Sequence, residues 1–210
     1  MSQTPLILIP AAGFGTRVGS PEAKELLPDP SGQPLIESAL GQAQARGWPV
    51  HVITRAEKKS LIEYLRRRSG LEISIQLIRP SREWPDTLLL SKEHWRQRNI
   101  LCLPDTRFSP ESAIDQLVQS PAELAAAVFD TSDASTWGVL RSLPTGQLEI
   151  CEKPRDHRPG QKAWGLLAFT PSAGHQLLNA QLASTLDHQW RTLDFSHEFI
   201  DLDWFKDLTR

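Results

Sequence analysis

Residues 6–9, Leu-Ile-Leu-Ile, form a short continuous apolar run, the kind that a sheet covered on both faces uses for its strands. The run stops at Pro10 and passes into a loop carrying Gly13, Gly15 and Gly19. Glycine reaches φ > 0 cheaply and lets the backbone approach a ligand closely, so successive N–H groups can turn toward one anion. Arg17 and Lys24 bring cations that suit a polyphosphate. The same residues would also make a surface turn with two solvated cations. Two phosphate loops are excluded by counting. A dinucleotide fingerprint needs a third glycine where Val18 stands, and a Walker loop needs Gly-Lys-Ser/Thr together, whereas Lys24 adjoins no glycine.

Downstream, strand and helix patterns alternate. A helix is expected over 34–46, with Pro34 in its first turn and Gly47 past its end. Strand 50–54, helix 57–68 with Leu61, Ile62 and Leu65 on one face, and strand 72–78 follow. Then come a helix from Thr87 with Asp86 as N-cap, a strand over 99–103, and a helix opened by Ser109-Pro110 and ending near Gln119. Strand 124–130 completes a pattern typical of a doubly wound parallel sheet. From Thr136 the strands 138–142, 148–152 and 164–169 lack intervening helices, which suggests a mixed or antiparallel extension. Helix resumes after Thr170-Pro-Ser172, and strand 199–203 with a helical turn over 204–208 closes the chain.

Composition narrows the function. At 210 residues, one domain spanning 1–210 with a sizeable core is expected. A formal net charge of -2 argues against broad electrostatic binding to nucleic acid or to an anionic membrane. No apolar run approaches the roughly 20 residues needed to span a bilayer, and no signal-peptide pattern opens the sequence, so a cytoplasmic location is expected. Cys102 and Cys151 sit in apolar runs and read as reduced core residues. The six histidines show no pattern, and Trp84, Trp137 and Trp164 read as core aromatics near the candidate segments.

Several polar residues stand where chemistry is possible. Asp105 directly follows an apolar strand, and open α/β sheets bind ligands outside the carboxyl ends of their strands. A carboxylate there suits Mg²⁺, which takes one or two protein carboxylates with phosphates and water; a turn or cap is the alternative. Gly138 and Gly165 interrupt strand patterns, which fits either close approach of a ligand or a bulge.

Ile9-Pro-Ala-Ala-Gly-Phe-Gly-Thr-Arg17, followed by Lys24-Glu-Leu-Leu-Pro28 and Gln33-Pro-Leu-Ile-Glu37, resembles the signature of the sugar-1-phosphate nucleotidyltransferases, or nucleotide-sugar pyrophosphorylases. The version it looks closest to is that of the bacterial UTP–glucose-1-phosphate uridylyltransferases. The resemblance implies a Rossmann-like, three-layer, doubly wound mixed sheet (a GT-A-like nucleotidyltransferase fold) with a small antiparallel extension. It implies Mg²⁺-dependent transfer from a nucleoside triphosphate to a sugar 1-phosphate. Ala11, Ala12, Gly13, Gly15 and Thr16, with Asp86 and Thr87, would bind the nucleotide, and Arg17 and Lys24 would be catalytic. Leu101-Cys-Leu-Pro-Asp105 matches the family's metal-binding aspartate segment. Ile200-Asp-Leu-Asp-Trp-Phe-Lys-Asp-Leu208 matches its closing motif, which puts the second ligand on Asp201, with Asp203 as the alternative. In Glu152-Lys-Pro154 the glutamate would meet sugar hydroxyls and Lys153 the sugar phosphate, with Gly138 and Gly165 beside them.

The sequence departs from the family at Glu83-Trp-Pro-Asp-Thr-Leu88, where Asp86-Thr87 replaces a glycine that relatives use beside the base. Beside most hexose-1-phosphate members these 210 residues are expected to be short, without the extra C-terminal helices that many of them carry. Two rival functions are a nucleotide-binding homologue without turnover and a dehydrogenase-like domain, the latter disfavoured by the missing third glycine.

Overall fold

The computed structural model describes residues 4–13, 23–79 and 83–208, which divide into two compact units. Of these described residues, those up to Arg107 and from Lys206 onward form the first unit, and residues 108–205 the second.

The first unit is built on β1 (Leu6–Pro10), buried along its whole length as its apolar run requires. α1 (Glu37–Arg46), β2 (Val50–Thr54), α2 (Lys59–Arg67), β3 (Ile73–Leu77), α3 (Trp84–Leu89) and β4 (Asn99–Leu101) follow. The sheet order is β4-β1-β2-β3, all parallel, with Ile7 opposite Val50 and Ile100. Gly47 ends α1 in the left-handed region at φ 64°, the conformation its position past the last turn predicts. α2 buries Leu61, Ile62 and Leu65, the expected face.

Two helix starts differ from expectation. α1 begins at Glu37 because Pro34 bridges back to Pro28 and Leu35 N–H donates to the Leu27 carbonyl, 2.9 Å, leaving only a turn at Leu35–Ile36 before the helix. α3 begins at Trp84, so its N-cap is Glu83, with extended backbone, and not Asp86. Pro85 explains the shift, since its fixed φ and missing N–H fit a first helical turn.

In the second unit, α4 (Ala113–Gln119) precedes β6 (Leu124–Phe129), β7 (Gly138–Ser142), β8 (Leu148–Glu152) and β9 (Lys162–Phe169); β5 (Thr106–Ser109) begins in the first unit. α5 (Pro171–Asp187), β10 (Arg191–Leu193), β11 (His197–Asp201) and β12 (Trp204–Asp207) complete the chain. Its sheet runs β11-β6-β9-β7-β8-β10, antiparallel except for the β11–β6 pair, as the helix-free stretch from Thr136 predicts. Thr170 caps α5 by accepting from Ala173 N–H, with Pro171 in the first turn.

The expected helix from Ser109-Pro110 and the closing helical turn are both corrected. Residues 106–109 are a strand, α4 starts at Ala113, and 204–207 form β12, which pairs with β5. Asp203 N–H donates to the Ser109 carbonyl at 2.7 Å, and Leu208 N–H to the Asp105 carbonyl at 2.8 Å. Pairing satisfies backbone groups that a single helical turn would leave open.

Both cysteines are free and buried; burial pushes the Cys102 thiol up to about 12 and raises Cys151 as well. Among the described residues no helix is long and apolar enough to cross a membrane.

Two of the histidines that show no pattern in sequence meet in space. His51, buried in β2, contacts Ser74 Oγ through Nδ1 at 2.7 Å and Gln76 Oε1 through Nε2 at 3.0 Å, and its ring lies 4.3 Å from that of His94. Burial holds its imidazole below the ordinary value; the Gln76 bond opposes this, and the neighbouring His94 adds to it. The unfolded chain therefore takes up a proton that the native state resists. Unfolding free energy is expected to be unaffected by this group above pH about 6.5 and to fall as pH drops below it. Urea titrations of wild type and His51→Phe across that range check this; equal acid slopes would refute it.

Candidate functional site

In the first unit Ala11, Ala12 and Gly13, expected to bind nucleotide, lie at the carboxyl end of β1. Ala11 and Ala12 are buried; Ala11 N–H donates to the Ile53 carbonyl at 2.8 Å, and Thr54 Oγ1 donates to the Ala11 carbonyl at 3.2 Å. Gly13 is exposed, with open space where a Cβ would sit. Gly15, Thr16 and Arg17 lie outside the described residues.

Lys24 opens a single 3-10 turn, Lys24–Leu26, and its Nζ lies 2.5 Å from Asp105 Oδ2. Asp105 is 6% exposed and follows β4, so the two residues singled out from separate motifs 81 positions apart form one ion pair. A nearly buried carboxylate in the turn between β4 and β5, already beside the Lys24 ammonium, is of the type that Mg²⁺ takes together with substrate oxygens and water. Among the described residues no three His, Cys, Asp or Glu side chains gather as a ready-made metal cage.

Two supports of this turn escaped the sequence reading. Glu25, 0% exposed, accepts from Lys58 Nζ at 2.7 and 2.9 Å. Burial pushes the Lys58 ammonium below the ordinary lysine range, Glu25 opposing and the cations Lys24 and Arg55 adding to the effect. Nothing in the one-dimensional pattern pairs residues 25 and 58. The second support was readable: Asp29-Pro-Ser-Gly32 is turn chemistry. Asp29 Oδ1 accepts from Ser31 N–H at 2.7 Å and Gln33 N–H at 3.1 Å, Gly32 takes φ 83°, and Arg107 pairs with the other carboxylate oxygen.

The two expected base contacts fall in the first half of α3. Asp86 is half-buried in the first turn, where the helix dipole favours a carboxylate. Thr87 is buried, and its Oγ1 donates to the Glu83 carbonyl at 3.4 Å.

In the second unit Glu152 ends β8 at 9% exposure, and Lys153 follows with φ 49°, its N–H held by the Trp137 carbonyl at 2.9 Å. Gly138 faces this pair across the sheet. A Cβ on it would stand 2.9 Å from Glu152 Oε2 and 2.4 Å from the Trp164 indole nitrogen, so only glycine lets those side chains close in. Gly165 has no residue opposite it where the β6–β9 register slips between Ala127 and Val128. Its missing Cβ makes room for the Phe205 ring, which also stacks on Phe129 at 4.9 Å. The bulge foreseen as one of its two explanations is present.

Asp201 is 74% exposed at the end of β11, and Lys162 Nζ lies 2.5 Å from its Oδ1 and 3.7 Å from Asp130. Asp201 holds the Lys162 ammonium above the ordinary lysine range. Asp203, the alternative, accepts from Ser109 Oγ at 3.3 Å.

Neither a family model nor a curated protein matches the sequence. Solved structures do match the fold. One is a protein from Bacillus anthracis assigned as a glucose-1-phosphate thymidylyltransferase, with TM-score 0.76 at 14% identity, covering 97% of this chain and 90% of that one. Another is the UDP-glucose pyrophosphorylase of Acinetobacter baumannii, with TM-score 0.71 at 16% identity, covering 99% and 89%. A third is the inositol-1-phosphate CTP transferase of T. maritima, with TM-score 0.72 at 14% identity, covering 96% and 87%. The chain has the mixed α/β fold that these proteins share.

Proposed function

We propose that the chain is a nucleotidyltransferase, its 210 residues working as a single nucleotidyltransferase domain that joins a nucleoside monophosphate to a sugar 1-phosphate and releases pyrophosphate. The observation that carries this is the meeting of Lys24 with Asp105 at the carboxyl ends of parallel strands, where open α/β sheets bind ligands. The likeness in fold to a UDP-glucose pyrophosphorylase and a CTP transferase supports the same class.

A phosphate oxygen of the sugar phosphate attacks the α-phosphorus of the triphosphate. The α–β bridging bond breaks, and pyrophosphate leaves with the electron pair. The nucleophile is already ionised at neutral pH, so no general base is required; positioning and charge neutralisation supply the rate. The Gly13–Arg17 loop, with Arg17 itself, would hold the β- and γ-phosphates, Lys24 would meet charge growing on the α-phosphate, and Lys153 would seat the sugar phosphate. Asp105 would hold Mg²⁺, which when bound neutralises phosphate charge; Asp201 is the second proposed ligand.

UTP or dTTP is the favoured donor. A pyrimidine needs less room than a purine, and Trp84, Pro85 and Asp86 put bulk and charge in the first turn of the expected base segment. An aspartate also accepts from an exocyclic amine, which makes cytidylyl transfer the second reading. With Mg²⁺ and a panel of sugar 1-phosphates, pyrophosphate release should be greatest with UTP or dTTP, lower with CTP and least with ATP or GTP. A purine preference would defeat the base argument. Binding of a triphosphate without release from any pair would defeat the enzymatic reading and favour a non-catalytic homologue.

A further inference from the structure

α5 buries a stripe at helical spacing whose chemistry changes along its length. Ala173, Leu177 and Leu178 are apolar, but the next two buried positions are Gln181 and Ser184. A helix that had only to pack would continue with leucine or alanine there. The change coincides with one neighbour, Glu152.

Three groups from this end of α5 grip Glu152. Gln181 Nε2 donates to the Oε2 carboxylate oxygen. Glu152 N–H donates to Ser184 Oγ at 2.9 Å, and His188 Nδ1 lies 3.2 Å from the Glu152 carbonyl. Gln181 is 0% exposed, and its Oε1 has no donor among the described residues. Turning the amide over would set that oxygen against the carboxylate, so the orientation is dictated by Glu152 and the unsatisfied oxygen is its consequence. A neutral amide fixes the carboxylate without adding a second cation to Lys153, whose Nζ lies 3.9 Å from Glu152 Oε1. The next residue, Lys153, holds a left-handed backbone that non-glycine residues seldom adopt; such strain persists where surrounding bonds over-determine it.

We propose that Gln181 is a positioning and specificity-determining residue, holding Glu152 as a rigid, charged acceptor for hydroxyls of the sugar phosphate. This rests on the sugar-phosphate reading above. Acceptors that are ionised make shorter and stronger hydrogen bonds, and a fixed one discriminates between sugars differing at a single hydroxyl.

Gln181→Leu preserves size and removes the donor. It should raise KM for glucose 1-phosphate on the order of tenfold, leave KM for the triphosphate unchanged, and narrow the preference among hexose 1-phosphates. Gln181→Glu, of the same size, places a second carboxylate against Glu152, near Lys153 Nζ and His188. That variant should bind sugar phosphate poorly at neutral pH and recover as the pH falls and a protonated acid replaces the amide donor. Unchanged kinetics in both variants, or loss of both substrates in step with melting temperature, would overturn the proposal; if the leucine variant does not fold, the pH profile of the glutamate variant decides. Should the wild type release no pyrophosphate, the reaction class falls, and calorimetric binding of glucose 1-phosphate judges Gln181 alone. Weaker binding in the variants supports it, and equal binding or none in the wild type overturns it.

Discussion

Lys24→Ala is expected to lower kcat and kcat/KM together, by about 10²–10³-fold, the scale of a lost oxyanion donor. The ammonium is on a short rigid turn and is held against a nearly buried carboxylate, so it is oriented before substrate arrives. A group held in this way stabilises charge that develops in the transition state without reorganisation at that moment. Steady-state kinetics with pyrophosphate detection make the measurement. Lys24→Gln separates charge from structure, because its amide still donates to Asp105; its loss should approach that of alanine while the melting temperature stays closer to wild type. A change confined to KM would mean that Lys24 binds ground state and transition state alike.

The largest effect on stability is expected at Lys58. Lys58→Met strands the Glu25 carboxylate, 0% exposed, without its bidentate partner, and should cost about 3–5 kcal/mol of unfolding free energy. That is a large share of the roughly 5–15 kcal/mol that holds a typical domain folded. The double variant Glu25→Leu/Lys58→Met removes both charges and should recover most of the loss, since an apolar pair of similar volume escapes the desolvation penalty. Urea denaturation of the three proteins gives the comparison. A single-variant loss below about 1 kcal/mol would place Glu25 in contact with water and refute its assignment as a buried charge.

What sequence alone determined was local. The apolar run at 6–9 became the buried strand β1, Leu61, Ile62 and Leu65 became the buried face of α2, and Gly47 ended α1. Each follows from side-chain periodicity or from a φ that one residue type tolerates, and both are properties of neighbours in the chain. The motifs around Lys24 and Asp105 stand out in the chain, but the pairing of the two residues across 81 positions is tertiary, and the Asp29 turn was readable without being foreseen. Boundaries were less so: Pro85 moved the start of α3 to Trp84, and the turn at 204–208 became β12 because a distant strand offered hydrogen bonds that a short helix lacks. Tertiary structure alone decided the Glu25–Lys58 pair, the meeting of His51 with His94, and the grip of Gln181 on Glu152. Each joins residues at least 29 positions apart, and each buries polar groups that must find partners or lose free energy. That requirement acts on folded neighbours, and no periodicity in the chain records who they are.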